Sequence, residues 1–211
     1  MIKVENIETW GFEHAIRGMR NPLNSWDKSD SGFHGQEEGS CSTLMYVGEN
    51  DLDLMKRLYK AGTEHRKYLR QIFVSMDITA PLYWWKQMDQ YKIGTITNSC
   101  STMHKIAAKE FELDDFSHEH LCNISEAVVM EICRVLNTWR NLYLESKNKE
   151  DWWQMIQLLP SSYNQKRTVT MNYENVVTMI KQRSGHKLDE WDIFVEELKK
   201  LPYIKEITED A

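Results

Sequence analysis

The chain has 211 residues, a formal net charge of −6 and a pI near 5.7. That length is most simply one domain, residues 1–211, with room for a sizeable core, and its acidic balance argues against a general nucleic-acid binder. Eight Trp and nine Tyr favour a packed globule or an oligomer interface over disorder.

No apolar run approaches the roughly 20 residues needed to span a bilayer, and Met1-Ile2-Lys3-Val4-Glu5 lacks the pattern of a signal peptide. The expectation is a cytoplasmic protein that does not engage membranes. Cys41, Cys100, Cys122 and Cys133 lie far apart with no CxxC, which reads as free thiols in a reducing compartment.

In chain order, Ile2 to Trp10 has the form of an edge strand. Phe12 to Arg20 follows as a short helix, with Arg17 and Arg20 on one face, open to a ligand role but most simply solvated. Asn24 to Gly39 lacks apolar periodicity and reads as a loop of about fifteen residues. Asn50 is placed to cap a helix running through Lys60 and burying Leu54, Met55, Leu58 and Tyr59, with Gly62 as its breaker.

Ile72, Val74, Met76 and Ile78 alternate as in a half-buried strand. Thr79-Ala80-Pro81 then predicts a helix start, Thr79 as N-cap and Pro81 in the first turn, with Leu82, Trp85, Lys86 and Asp89 on one face. The helix gives out at Tyr91-Lys92-Ile93-Gly94. A polar loop rich in Thr, Ser, Asn and Cys runs on to His104-Lys105, suited to presenting backbone and hydroxyl groups to a ligand.

Glu110 to Glu119 is an acidic connector. The following His118-Glu119-His120-Leu121-Cys122 lacks metal-ligand spacing, so no metal site is expected. Asn123-Ile124-Ser125-Glu126 has the form of a capping box. It leads into a long helix whose stripe of Val128, Ile132, Val135, Trp139 and Leu142 predicts core or subunit interface. A short helix over Glu150 to Leu158, a β-type run Arg167-Thr168-Val169-Thr170 and a last helix from Lys187 to Lys200 complete the chain.

The order of these elements resembles the flavin-dependent thymidylate synthases. Ala80-Pro81 and Lys86-Gln87 stand where that family has Ala-Pro and Arg-Gln, and Gln90-Tyr91-Lys92 occupies the place of its Arg-His-Arg signature. Counting on from Lys92 puts Cys100 at the signature serine, or Ser101 if one residue is inserted. His65 matches a flavin-contacting His. Leu159-Pro160, Asn172 and Arg183 match a Leu-Pro pair, a flavin-contacting Asn and a nucleotide-binding Arg. Ile156, Glu174 and Thr178 depart from the pattern, standing where the family has a phosphate-holding Arg, a flavin-touching Arg and an Asn.

The resemblance implies an α+β fold, an antiparallel sheet flanked by helices with one long helix, assembled as a homotetramer. It implies FAD held by His65, Lys92, Asn98 and Asn172, and a dUMP-like pyrimidine nucleotide held by Gln87, Cys100, Ser101 and Arg183. The implied reaction is reductive methylation of dUMP to dTMP, with methylenetetrahydrofolate as carbon donor and NADPH as reductant. In such a site the cofactor carries the hard step while cations stabilise developing negative charge. Lys92 is a point charge without the planar fork of arginine, so the degenerate signature leaves two alternatives. One is a lapsed family member that binds flavin or nucleotide without turnover. The other is an assembly protein on the same scaffold. Cys100 adds a candidate thiol nucleophile, against which stands the plain reading of a small loop residue.

Overall fold

The computed structural model describes residues 1–34 and 43–208. Cys41 and the end of the loop expected over Asn24 to Gly39 lie outside the described residues.

The strands are β1 (Lys3–Trp10), β2 (Gly32–His34), β3 (Thr43–Tyr46), β4 (Phe73–Pro81), β5 (Thr95–Ser99) and β6 (Asn164–Asn172). The helices are α1 (Phe12–Arg20), α2 (Glu49–Lys60), α3 (Leu82–Met88), α4 (Thr102–Lys105), α5 (Asn123–Ser146), α6 (Lys149–Leu158), α7 (Tyr173–Arg183), α8 (Asp189–Lys199) and α9 (Ile204–Thr208). An antiparallel sheet in the order β1-β4-β6-β5 is flanked by helices, and β2 pairs with β3 separately. The fold is α+β, with α5 as the long helix at 24 residues.

β4 buries one side because its apolar residues recur every second position: Val74, Met76, Ile78 and Ala80 are buried, as is Ile72 just before it. Its main chain stays extended through Pro81 (ψ 151°), and the Leu82 N–H donates to the Tyr163 carbonyl (3.0 Å). The helix expected from Thr79 therefore begins later, at Leu82. Thr79 is a strand residue and Pro81 is the N-cap, outside the first turn. The chain passes from β1 into α1 by way of Gly11, whose φ of +92° and close approach to the Gln71 carbonyl leave no room for a side chain.

Three other expectations shift. The polar loop after Gly94 is partly the edge strand β5, as its β-branched Thr95, Ile96 and Thr97 suit extended backbone. α2 is capped at Gly48; Asn50 lies inside it, and the N–H groups of Asn50 and Asp51 donate to the Asp30 carboxylate (3.0 and 3.1 Å). Cys122, with no side-chain cap bond, precedes α5, so Asn123 to Glu126 forms no capping box. A capping box does occur at Glu112 and Asp115.

The chain packs as two compact units. One comprises residues 1–3, 77–90 and 97–168. Its core joins Ile106, Phe111, Phe116, Cys133, Leu136 and Met155, with Ile132 and Trp139 of α5 partly buried against them. Of the rest of the expected α5 stripe, Val135 is half-buried, while Val128 is 56% and Leu142 43% exposed, and Ile124 before the stripe is 79% exposed. The second unit comprises residues 4–76, 91–96 and 169–211. Met55, Leu69, Tyr173, Val176, Met179, Trp191, Phe194 and Leu198 are buried there.

Candidate functional site

In the second unit the segment after Tyr91 runs along α7. The Arg183 Nε donates to the Tyr91 hydroxyl (2.9 Å), which in turn donates to Gln182 Oε1 (3.0 Å). The Arg183 guanidinium lies over the rings of Tyr91 (5.5 Å) and Trp191 (4.7 Å). Such stacking fixes the plane of a guanidinium as well as its position. At the other end of α7, the Asn175 amide donates to the Ile93 carbonyl (2.7 Å) and Thr95 Oγ1 (3.0 Å). Gly94, at φ +74°, passes so close to the Asn172 amide that a β-carbon would sit 2.5 Å from it.

Asn172 is the N-cap of α7, its side-chain oxygen accepting from the Asn175 N–H (3.0 Å). Arg183, the last of the eleven residues of α7, lies roughly 16 Å from it along the axis. A ligand reaching both must therefore be extended. Lys92, between the two anchor points, is exposed and has no side-chain partner among the described residues.

His65 sits in the turn after α2, where its N–H and that of Arg66 both donate to the Gly62 carbonyl (3.0 and 3.1 Å). Its imidazole is exposed at the rim of a cleft of about 660 Å³ between α1, α2 and the turn. Tyr68 lines the same cleft; its hydroxyl donates to the Met55 carbonyl (3.0 Å), and burial pushes the phenol well above its ordinary pKa. Arg66 turns the other way. It grips Glu174, in the first turn of α7, with Nη2 and Nε (2.7 and 3.1 Å), and lies 5.1 Å above the Tyr59 ring. The His65 turn is thereby tied to the end of α7 that carries Asn172.

The remaining implied residues belong to the first unit. Gln87 is half-buried on α3 and Asn98 is exposed on β5. Cys100 is exposed, with its N–H on the Lys166 carbonyl (2.9 Å) and its carbonyl accepting from Gln165 Nε2 (2.8 Å). Ser101 caps α4 by accepting from the His104 N–H (3.1 Å).

Arg167 was not singled out by sequence, yet it organises this region. Its Nη1 donates to Asp89 (2.8 Å), its Nε to Gln165 Oε1 (3.0 Å), and its guanidinium lies 4.2 Å over the Trp85 ring. Asp89, Arg167 and Gln165 thus connect the end of α3 to Cys100. The missed signal was alternation: Gln165, Arg167 and Val169 are alternate residues of β6.

The second omission is structural. Arg20, expected on a solvated face, is buried and donates to Asp51 Oδ1 (2.6 Å) and the Ser25 carbonyl (3.1 Å). Asp51 Oδ2 accepts from the hydroxyls of Ser29 and Ser31 and the N–H groups of Asp30 and Ser31. Burial alone would raise the Asp51 carboxyl. The bonds from Ser31, Ser29, Arg20 and Asp30 outweigh it and hold the group below its ordinary value of 3.8.

Among the described residues no helix is long and apolar enough to cross a membrane. The sequence matches no protein-family profile and no curated relative. Its fold does have counterparts among solved structures. A crystal structure of thymidylate synthase X (ThyX) from Helicobacter pylori with FAD and dUMP superposes with a TM-score of 0.73 at 17% identity, covering 99% of this chain and 98% of that one. A second structure, of the flavin-dependent thymidylate synthase ThyX from Helicobacter pylori complexed with FAD and dUMP, gives 0.69 at 19% identity over the same shares. Over its whole length the chain has a ThyX-like fold.

Proposed function

We propose that the chain is an FAD-dependent protein of pyrimidine-nucleotide metabolism, acting as one domain in a homotetramer and methylating dUMP reductively to dTMP. Methylenetetrahydrofolate would supply the carbon and NADPH the reducing equivalents. The observation that carries this reading is the end-to-end correspondence of fold, TM-score 0.73 over 99% and 98% of the two chains, with a structure holding FAD and dUMP. The exposed α5 stripe at Ile124 and Val128 supports assembly, since apolar side chains on a long helix gain from burial against another copy.

The residues present fit a flavin nucleotide. His65 and Lys92 are exposed donors, and Lys92 has no side-chain partner among the described residues, as an incoming phosphate requires. Asn98 and Asn172 are the implied amide contacts, Asn172 with one oxygen lone pair already used by its cap. When bound, the flavin supplies the hydride. The chain's own part is orientation and charge. Arg183, fixed between Tyr91 and Trp191, presents a preset guanidinium to the nucleotide, while Gln87, Cys100 and Ser101 offer an amide, a thiol and a hydroxyl.

A second reading is favoured by one specific observation. Glu174, where the resemblance implies a flavin-touching arginine, consumes the Arg66 guanidinium in an ion pair. That neutralisation suits a protein that binds flavin or nucleotide without turnover, because loss of one preorganised cationic donor costs roughly 10²–10³ in rate. Titrating FAD and dUMP separately into the purified protein, then assaying dTMP formation, tests both readings. Binding with turnover supports the first and binding without it the second. Binding of neither ligand sinks both.

A further inference from the structure

β5 ends at Ser99, and the chain turns through Cys100 and Ser101 into α4. This turn is held on both sides. The Cys100 N–H donates to the Lys166 carbonyl (2.9 Å), and the Cys100 carbonyl accepts from Gln165 Nε2 (2.8 Å). The Ser101 carbonyl and hydroxyl accept from the N–H groups of Lys105 and His104, both at 3.1 Å. Of these bonds, only the one from Gln165 has a side-chain donor, and a side-chain amide can turn over.

The orientation of that amide is dictated from behind. An amide side chain has an acceptor at one end and donors at the other, whereas a guanidinium has donors only and a carbonyl has none. With Arg167 Nε donating to Gln165 Oε1 (3.0 Å), Nε2 must face Cys100. Turned over, the amide would set donor against donor and acceptor against acceptor. Arg167 is itself fixed: Nη1 holds Asp89 (2.8 Å) and the guanidinium lies 4.2 Å over the Trp85 ring. Trp85 Nε1 in turn donates to the Gln165 carbonyl (2.9 Å). Trp85 is 1% exposed and Gln165 8%, so water competes little for these bonds.

We propose that Arg167 is a positioning residue of the nucleotide site. By orienting the Gln165 amide it holds the Cys100–Ser101 turn in one conformation, and so sets how tightly the turn receives a pyrimidine nucleotide. The inference rests on the nucleotide reading above and assigns Arg167 no contact with the ligand. Its side chain is 15% exposed and already shared among Asp89, Gln165 and Trp85. A turn that samples other conformations binds in proportion to its competent fraction, so releasing it weakens affinity by that fraction.

Two substitutions separate positioning from packing. Arg167→Met keeps an apolar stem over Trp85 and removes every donor. Gln165→Glu keeps the Arg167 contact, as a carboxylate facing a guanidinium, and removes the donor to Cys100. If Arg167 only packs, the second is harmless; if it positions, both release the turn. In the full chain, hydrogen exchange of the Cys100 amide should quicken at least about tenfold in both variants, with exchange of Leu136 inside α5 unchanged. The affinity for dUMP, by calorimetry, should fall at least about tenfold in both. Asp89→Asn, at a half-exposed pair that leaves the Gln165 contact in place, should cost less than about threefold. If Arg167→Met fails to fold by thermal melting, Gln165→Glu carries the same decision. Unchanged Cys100 exchange, unchanged dUMP affinity, or exchange quickened equally at Leu136 overturns the proposal. A parent that binds no dUMP defeats the nucleotide reading instead, and Cys100 exchange then decides the anchoring by itself.

Discussion

Asp51→Ala is the most demanding test of how the α1–α2 wall is built. The Asp51 carboxylate is fully buried and takes five hydrogen bonds, from Arg20, Ser29, Asp30 and, twice, Ser31. Removing it leaves the Arg20 guanidinium, 4% exposed, as an uncompensated buried charge. Breaking a buried pair in this way costs about 3–5 kcal/mol. For a chain of this length each kcal/mol lowers Tm by about 2–4 °C, so the expected fall is about 6–20 °C by scanning calorimetry at pH 7. Arg20→Met should cost less, because the carboxylate keeps its other four donors.

Acid gives a second readout. The folded carboxyl titrates below its unfolded value of 3.8, so its stabilisation is complete above that value. It is lost as pH falls through the lower, folded value. The gap between parent and Asp51→Asn must therefore be widest near neutrality and close in strong acid. A fall of less than about 2 °C for Asp51→Ala, or a larger fall for Arg20→Met, would refute this account of the wall.

Asn172 separates a cap from a cofactor contact. Asn172→Ala should cost about 1 kcal/mol of stability as a lost N-cap, whereas Asn172→Ser keeps the cap. If the side chain also meets flavin, the Ser variant loses FAD affinity with little change in Tm; FAD titration equal to the parent rules that role out. Ile124→Glu/Val128→Glu places two charges on the open face of α5 and should reduce a tetramer to smaller species by sedimentation velocity. A parent that already sediments as a monomer at micromolar concentration removes the homotetramer from the proposal.

What could be read from sequence was periodicity. The alternation over Ile72 to Ile78 fixed β4, the bounds of α1 fell where Gly11 and the NPL turn place them, and Gly62 ended α2 as expected. What could not be read was where partners from distant segments would stand. Asn50 has the chemistry of a cap, but Asp30, twenty residues earlier, arrives at the same N–H groups. Arg20 lies three residues from Arg17 and looks equally solvated until Asp51 is brought against it. The junction at Thr79 to Pro81 moved because Tyr163 accepts the first helical N–H, a contact between segments some eighty residues apart.

The same limitation explains why the site read differently by charge and by geometry. Of the arginines Arg66, Arg167 and Arg183, the resemblance assigns only Arg183 to a nucleotide. In the structure each is stacked on aromatic rings: Arg66 on Tyr59, Arg167 on Trp85, Arg183 on Tyr91 and Trp191. Arg66 and Arg167 are also ion-paired, to Glu174 and Asp89. Cation–π contacts are worth roughly 0.5–2 kcal/mol each, so these guanidinium groups are held in place at some cost to their freedom. The Trp and Tyr content, which composition alone assigns to core or interface, therefore has a third use as platforms for arginine. Lys28, Lys67, Arg70 and Lys92, by contrast, are exposed and have no side-chain partner among the described residues.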